Sequence, residues 1–146
     1  MLIGKSDIAK MIPHSGAMCL LDGVLRWDGT SIRCISGTHR DAHNPLRSRG
    51  RLHALCGVEY AAQAMALHGG LSGAVGQRPK TGYLASVRDL VCHTERLDAL
   101  TSDLVIDAEQ LLADEQRVIY QFTLRCDDAE VLTGRAAVVL DVEEAA

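Results

Sequence analysis

Residues 43–65 read HNPLRSRGRLHALCGVEYAAQAM, a proline-interrupted loop with a histidine that leads into a helix-forming segment. Small and apolar residues occur on nearly every face of that segment, which predicts a helix buried on most sides. Glu59 lies among them, and a carboxyl group on a largely apolar helix needs either a partner or a chemical role. We therefore take His43 and Glu59 as the first candidates for chemistry.

The segments on either side of this helix predict a sheet. Strands are expected at 18–27, 31–37, 82–93, 103–112, 117–126 and 131–142. Asp28-Gly29 separates the first two strands and is a strong hairpin signal. The central helix should run from about Leu52 to His68 and end at Gly69-Gly70.

A short helix is expected before the first strand. Ser6 or Asp7 is a candidate cap, and the helix should end before Ile12 because Pro13 disfavours the helical conformation in the residue that precedes it. The order is then short helix, two strands, long buried helix and four strands. Only a curved antiparallel sheet wrapped around one helix buries that helix on most sides, so the class is α+β.

Composition sets bounds on the class of protein. The 146 residues are expected to form a single domain, 1–146, because no linker or shift in composition divides them. The net charge of -4 argues against a nucleic-acid partner, although Arg40, Arg47, Arg49 and Arg51 form a local cationic cluster. No apolar run has the length of a membrane span and the amino terminus lacks the apolar core of a secretory signal, so a cytoplasmic protein without a membrane partner is expected.

The cysteines fit a reducing compartment. Five are present, an odd number, widely spaced and without a CxxC pair: Cys19, Cys34, Cys56, Cys92 and Cys126. Most lie within apolar segments, which is typical of small buried hydrophobic residues rather than of disulfides or metal ligands.

Several motifs, spread over essentially the whole chain, resemble the 3-hydroxyacyl-acyl-carrier-protein dehydratases of the hotdog fold. They are Ile12-Pro13-His14, the MCLLD of 18–22, His43-Asn44-Pro45, the GVEYAAQA of 57–64, the YLASVR of 83–88 and the DLVI of 103–106. Within that family the chain most resembles the small dehydratase-like proteins encoded with aryl-polyene or fatty-acid clusters. The resemblance implies the hotdog fold, with its curved antiparallel sheet around one long central helix.

The resemblance also implies a site and partners. The family uses a loop histidine and a helix acid, paired across a dimer interface, which correspond here to His43 as base and Glu59 as acid. It implies an acyl-carrier protein as partner, no metal or other cofactor, and a homodimer, a higher assembly of dimers or a heterodimer with another hotdog chain. The chain departs from the family's His-Phe-Pro-Gly loop, which reads His-Asn-Pro-Leu here, and His53-Ala54 replaces the Pro-Gly that opens the helix.

The implied dehydration has clear chemical requirements. A base must remove the proton beside the thioester carbonyl, and an acid must protonate the departing hydroxyl group. An imidazole suits the first role, and a carboxyl in apolar surroundings, which tends to hold its proton, suits the second. The first-turn amides of the helix at Ala54, Leu55 and Cys56 are the expected donors to the enolate oxygen.

Other polar residues leave alternatives open. Gln63, one turn beyond Glu59, either orients that carboxyl, binds substrate or is a buried amide bonded to backbone. His14 either lines the entrance or bonds backbone. His39 and His43 have a spacing of four, but their surroundings do not suggest a helix, so a metal site is not favoured. The arginine cluster is either a solvated rim or a cationic entrance for the carrier's phosphate.

Two other functions fit the same sequence. On the same fold, Glu59 could activate water and make the chain a thioesterase that releases a free acid. The altered His-Asn-Pro-Leu loop also fits a non-catalytic subunit that pairs with an active hotdog chain.

Overall fold

In the described part of the chain, seven antiparallel strands form one sheet against one long helix. The computed structural model describes residues 2–12, 16–72 and 82–140. The strands are β1 (Ile3–Gly4), β2 (Gly23–Trp27), β3 (Ser31–Ser36), β4 (Gly82–Cys92), β5 (Leu104–Ala113), β6 (Arg117–Cys126) and β7 (Ala129–Leu140), and the helices are α1 (Lys5–Met11) and α2 (Gly57–Ser72). The spatial order is β1-β2-β3-β5-β6-β7-β4. The predicted antiparallel sheet around one helix is confirmed.

The hairpin between β2 and β3 forms at the predicted Asp28-Gly29 turn. The Asp28 carboxylate accepts hydrogen bonds from the backbone N–H groups of Thr30 (2.9 Å) and Ser31 (2.8 Å). An aspartate that bonds the backbone two and three residues on stabilises a tight turn, which explains why this signal was reliable.

Helix α2 is buried on most sides, as its composition predicted. Tyr60, Ala61, Ala64 and Leu67 are fully buried in the core formed with the sheet. At the start of the helix, a Cβ atom on Gly57 would come within 2.7 Å of the Leu132 side chain, so the glycine lets the helix lie close to the sheet. Neither α1 nor α2, the helices of the described chain, is long and apolar enough to cross a membrane.

Several predicted boundaries were wrong. Helix α1 begins at Lys5 with Gly4 as its N-cap and no side-chain cap, so neither Ser6 nor Asp7 has the predicted role. The short strand β1 was not predicted, and the first long strand begins at Gly23 because Gly16–Met18 forms a 3-10 turn.

Gly69-Gly70 does not end the central helix, which continues to Ser72. Leu71 packs against the core, and the Ser72 hydroxyl donates to the His68 carbonyl at 2.6 Å. Each interior glycine costs a helix about 1 kcal/mol relative to alanine, and burial of Leu71 offsets that cost. The loop predicted to follow lies mainly outside the described residues.

Candidate functional site

His43 lines a cleft of about 220 Å³ that it shares with Lys5, Gly16, Cys19, Thr38, Asp41, Asn44 and Pro45. Its backbone N–H donates to the Asp41 carboxylate at 2.8 Å, which fixes the loop. The imidazole is exposed and makes no hydrogen bond to any described residue, so its nitrogens are available to a ligand. His14, expected near the entrance, lies outside the described residues.

A larger groove, of about 440 Å³, lies on the outer face of the sheet. Its walls include Arg33 and Arg125, which both bind the Asp107 carboxylate, at 2.7 Å and 2.8 Å. These charges already satisfy one another and His43 does not line the groove, whereas Glu59 lines neither the groove nor the cleft. The smaller cleft is therefore the better candidate site.

Glu59 lies half-buried in the first turn of α2. Its carboxylate makes no hydrogen bond or ion pair with any residue that the structure describes. Arg47 is not a partner within the chain, because its guanidinium donates to the carbonyls of Asp41 (2.8 Å), Gly50 (2.9 Å) and His39 (3.2 Å). The acid and the base predicted from sequence thus both lack a partner among the described residues.

The amides predicted to bind the enolate oxygen are already occupied. Ala54 N–H donates to the Glu95 carbonyl at 2.9 Å, and Cys56 N–H donates to the His53 carbonyl at 3.0 Å. Leu55 N–H donates to His53 Nδ1 at 3.0 Å. His53 therefore caps this 3-10 turn, and Ala54, Leu55 and Cys56 are not free donors in this conformation, contrary to the sequence-based expectation.

The loop that carries His43 has no spare donors at the neighbouring positions either. Asn44 N–H donates to the Asp41 carbonyl, and Arg47 N–H donates to the Asn44 carbonyl, both at 3.1 Å. Leu46 N–H donates to Asn44 Oδ1 at 2.9 Å, and Pro45 has no N–H. Neither segment presents a preformed pair of donors for a thioester oxygen.

Gln63 has a structural role in this conformation. The residue is fully buried, and its amide nitrogen donates to the Met18 carbonyl at 2.7 Å. Its amide oxygen accepts from Leu20 N–H at 2.9 Å. Both ends of the amide are used, so the geometry favours the backbone-bonded alternative over substrate binding or orientation of Glu59.

Sequence reasoning missed a buried polar cluster beside His43 and Glu59. Asn44 is 5% exposed and Tyr60 is fully buried. The Tyr60 hydroxyl lies 3.0 Å from Asn44 Nδ2 and 2.8 Å from Thr38 Oγ1. Burial raises the pKa of Tyr60, so the hydroxyl stays protonated at neutral pH. The available signal was a tyrosine on an apolar helix, because a buried tyrosine hydroxyl needs a partner.

The remaining candidates are not brought into the cleft. His39 is fully buried with Nε2 3.2 Å from the Leu100 carbonyl, so it does not join the exposed His43 in a metal site. Burial raises the pKa of Cys56, whose thiol contacts the Leu46 carbonyl at 3.8 Å, which argues against a reactive thiolate.

The arginine cluster divides into two parts. Arg40 and Arg47 are held by protein groups, Arg40 through the Thr101 carbonyl at 2.8 Å and an ion pair with Asp103. Arg49 and Arg51 are exposed, and their side chains make no hydrogen bond or ion pair to the described chain. Only these two remain available as cations for an acidic ligand.

Comparison with known proteins adds a family match and several similar structures. The model of the ApeP-like family, described as ApeP dehydratase, matches residues 6–145. The dehydratase heterocomplex ApeI:P from Xenorhabdus doucetiae has a chain with 23% identity and a TM-score of 0.82, covering 93% of this chain and 91% of that one. A search of curated sequences found no match.

Two thioesterases have the same fold. HI1161 from Haemophilus influenzae has 15% identity and a TM-score of 0.68, covering 95% of this chain and 91% of that one. A mutant of PA1618 from Pseudomonas aeruginosa has 15% identity and a TM-score of 0.67, covering 96% and 95%. At these identities the likeness shows the hotdog fold alone.

Proposed function

The chain belongs to the ApeP-like dehydratase family, and from that premise we propose that it converts 3-hydroxyacyl thioesters on an acyl-carrier protein to trans-2-enoyl thioesters. The observation that carries the proposal is that neither the His43 imidazole nor the Glu59 carboxyl has a hydrogen-bond or ion-pair partner among the described residues. His43 lines the cleft, and Glu59 lies half-buried in the first turn of α2, outside the cleft lining. A base and an acid of this kind are the two groups that dehydration requires.

In the proposed reaction, His43 takes the proton from C2 of the acyl chain. The electron pair of that C–H bond forms the C2–C3 double bond as the C3–O bond breaks. Glu59 gives its proton to the departing hydroxyl, which leaves as water. The imidazolium and carboxylate that remain together restore the starting protonation state by proton exchange with solvent. No redox partner is needed, because the acyl chain loses only water.

We further propose that the working unit contains two hotdog chains. The amides of Ala54, Leu55 and Cys56 are used within the chain, so the donors that stabilise the thioester oxygen must come from elsewhere or from a rearranged loop. The edge strand β4 exposes Tyr83 and Leu84. The ApeI:P dehydratase is itself a heterocomplex, so the second chain here is either another copy or a different hotdog chain.

Substitution at the two proposed catalytic residues tests this function. We expect His43→Ala and Glu59→Gln each to lower the dehydration rate by about 10²–10⁴-fold with a 3-hydroxyacyl-carrier-protein substrate. Matched controls are His93→Ala and Glu109→Gln, two exposed residues outside the cleft, which should keep the parent rate.

The same assay separates the alternatives. Equal rates for the parent and for folded His43→Ala and Glu59→Gln would overturn the assignment. Release of free thiol in place of an enoyl product would identify a thioesterase. Dehydration that needs a second hotdog chain, and that survives both substitutions, would identify a non-catalytic subunit.

A further inference from the structure

We propose that Tyr60, with Asn44 and Thr38, is a positioning residue that holds the His43 loop in place on helix α2 of the same chain. The inference rests on the proposed roles of His43 and Glu59. The Tyr60 hydroxyl receives Asn44 Nδ2 at 3.0 Å and lies 2.8 Å from Thr38 Oγ1. Each contact joins helix α2 to the loop that begins at Thr38.

Two residues of this cluster are direct neighbours in sequence of the two proposed catalytic residues. Asn44 directly follows His43, and Tyr60 directly follows Glu59. Consecutive Cα atoms are separated by a fixed 3.8 Å. The bond between Asn44 and Tyr60 therefore fixes, within one chain, the backbone that carries His43 relative to the start of α2 that carries Glu59. In a site shared by two chains, each chain then presents its base and its acid at set positions.

Asn44 also makes the loop itself stiff. Its Nδ2 donates to the Thr38 carbonyl at 2.9 Å as well as to Tyr60. Its Oδ1 accepts from Leu46 N–H at 2.9 Å. One buried amide thus bonds the loop before and after His43 and the helix at the same time, so the position of His43 depends on it.

The cluster extends beyond Tyr60 to the segment at Leu20. Asn44 Nδ2 can only donate, so the Tyr60 hydroxyl accepts from it. Thr38 Oγ1 lies 2.8 Å from the Tyr60 hydroxyl, 2.9 Å from Ser36 Oγ and 2.8 Å from the Leu20 carbonyl, which also accepts from Ser36 Oγ. The result is a hydrogen-bond network from Asn44 through Tyr60 and Thr38 to Leu20, in which neighbouring bonds polarise one another.

This hydrogen-bond network ends on the segment at Leu20, which Gln63 also binds. Leu20 donates its N–H to Gln63 Oε1 at 2.9 Å, while its carbonyl accepts from Thr38. Helix α2 is therefore hydrogen-bonded to the walls of the cleft at two positions, Tyr60 and Gln63, which lie about one helical turn apart. Small displacements of reacting groups cost large factors in rate, so the expected effect of loosening this attachment is on kcat.

Tyr60→Phe tests the inference, because it removes one hydroxyl and leaves the ring in the core. The matched control is Tyr120→Phe, which removes the other hydrogen-bonded core tyrosine hydroxyl, 2.7 Å from His68 Nδ1. A residue that only stabilises the fold would give the two variants the same phenotype. We expect Tyr60→Phe to lower kcat by about tenfold or more with KM changed less than about twofold, and Tyr120→Phe to keep both values.

Thr38 supplies a second pair of variants. Thr38→Ser keeps the hydroxyl and should give a higher kcat than the isosteric Thr38→Val, which removes the hydroxyl and should show the loss seen for Tyr60→Phe. Hydrogen exchange of residues 38–47 provides a readout that does not depend on activity. Exchange there should rise in Tyr60→Phe and Thr38→Val and stay at the parent level in Tyr120→Phe.

The outcomes separate this inference from the proposed function. Suppose that the parent needs His43 and Glu59 for activity. A Tyr60→Phe variant with the parent kcat, or equal losses of kcat in Tyr60→Phe and Tyr120→Phe, then overturns the inference but leaves the proposed function intact. Parent activity in His43→Ala and Glu59→Gln overturns the proposed function. If the parent shows no dehydration in any assembly, unchanged exchange at 38–47 in Tyr60→Phe overturns the inference, and a rise confined to those residues supports the attachment.

Discussion

His68 is a fully buried titratable residue on α2, enclosed between Tyr120 and the turn at Asp28. Its Nε2 lies 2.9 Å from the Asp28 carbonyl and so carries the proton, which leaves Nδ1 to accept from the Tyr120 hydroxyl at 2.7 Å. Burial lowers the pKa of His68. The folded chain therefore holds this imidazole in its neutral form.

This residue should make the fold sensitive to mild acid. The unfolded chain takes up a proton near the ordinary histidine value of 6.5, and the folded chain resists it, so stability is full above that pH and falls below it. The slope reaches about 1.4 kcal/mol per pH unit for one histidine. Urea unfolding between pH 5 and 7.5 should show a shallower dependence of the free energy of unfolding on pH in His68→Gln than in the parent. Some dependence should remain, because burial also lowers the pKa of His39. An identical slope in the parent and in His68→Gln would contradict this account.

At the residue scale, His43 and Glu59 stand out in the sequence by residue type and surroundings, and their catalytic roles stay a prediction. Residues whose roles are set by partners distant in sequence do not stand out in this way. Gln63 could not be assigned because its partners, Met18 and Leu20, are 45 and 43 residues away along the chain. The amides at Ala54, Leu55 and Cys56 were expected to be free because nothing in their spacing shows that His53 folds back as a cap.

At the element scale, the start of α2 is where the helix comes closest to the sheet. A Cβ on Gly57 would lie 2.7 Å from Leu132 Cδ2 and 2.9 Å from Leu124 Cδ2. We expect Gly57→Ala to lower the free energy of unfolding by about 1–3 kcal/mol, because either the two leucines or the helix must move.

Gly70→Ala is the matched control, since nothing lies within 4 Å of an added Cβ there. It should raise stability by about 0.5–1 kcal/mol through the higher helix propensity of alanine. Urea denaturation measures both changes. A Gly57→Ala variant as stable as Gly70→Ala would show that the close approach is unimportant.

Elements were predictable where a local signal decides and unpredictable where packing decides. The Asp28 carboxylate accepts hydrogen bonds from backbone N–H groups within the turn itself, so the four residues 28–31 are enough to predict the hairpin. The end of α2 depends instead on Leu71 reaching the core, which local propensity does not report, and the helix therefore continued through Gly69-Gly70.

At the scale of the whole molecule, β4 is the element best placed to meet a second chain. It is an edge strand, and Tyr83, Leu84 and Val91 are 58%, 41% and 47% exposed. A long apolar edge strand pairs readily with another chain, and a lysine there opposes pairing. We expect the proposed two-chain unit to dissociate in Leu84→Lys and to persist in Leu111→Lys, whose residue is 48% exposed on the interior strand β5.

Sedimentation or native mass spectrometry reports the assembly directly. Equal assembly of the parent and Leu84→Lys would place the interface elsewhere.

The order of elements was sufficient to predict the fold of one chain, because a buried helix needs a sheet around it. The composition of the assembly was not predictable in the same way, since edge strands for self-pairing and for pairing with a related chain have the same pattern.

We propose that this ApeP-like chain removes water from a 3-hydroxyacyl thioester through His43 and Glu59. The most direct test of that proposal is the mass of a 3-hydroxyacyl-carrier-protein after incubation with the purified chain, alone and with a second hotdog dehydratase chain. We expect a loss of about 18 Da, the mass of one water, that disappears with His43→Ala and Glu59→Gln. An unchanged mass in both conditions, or loss of the whole acyl group, would contradict it.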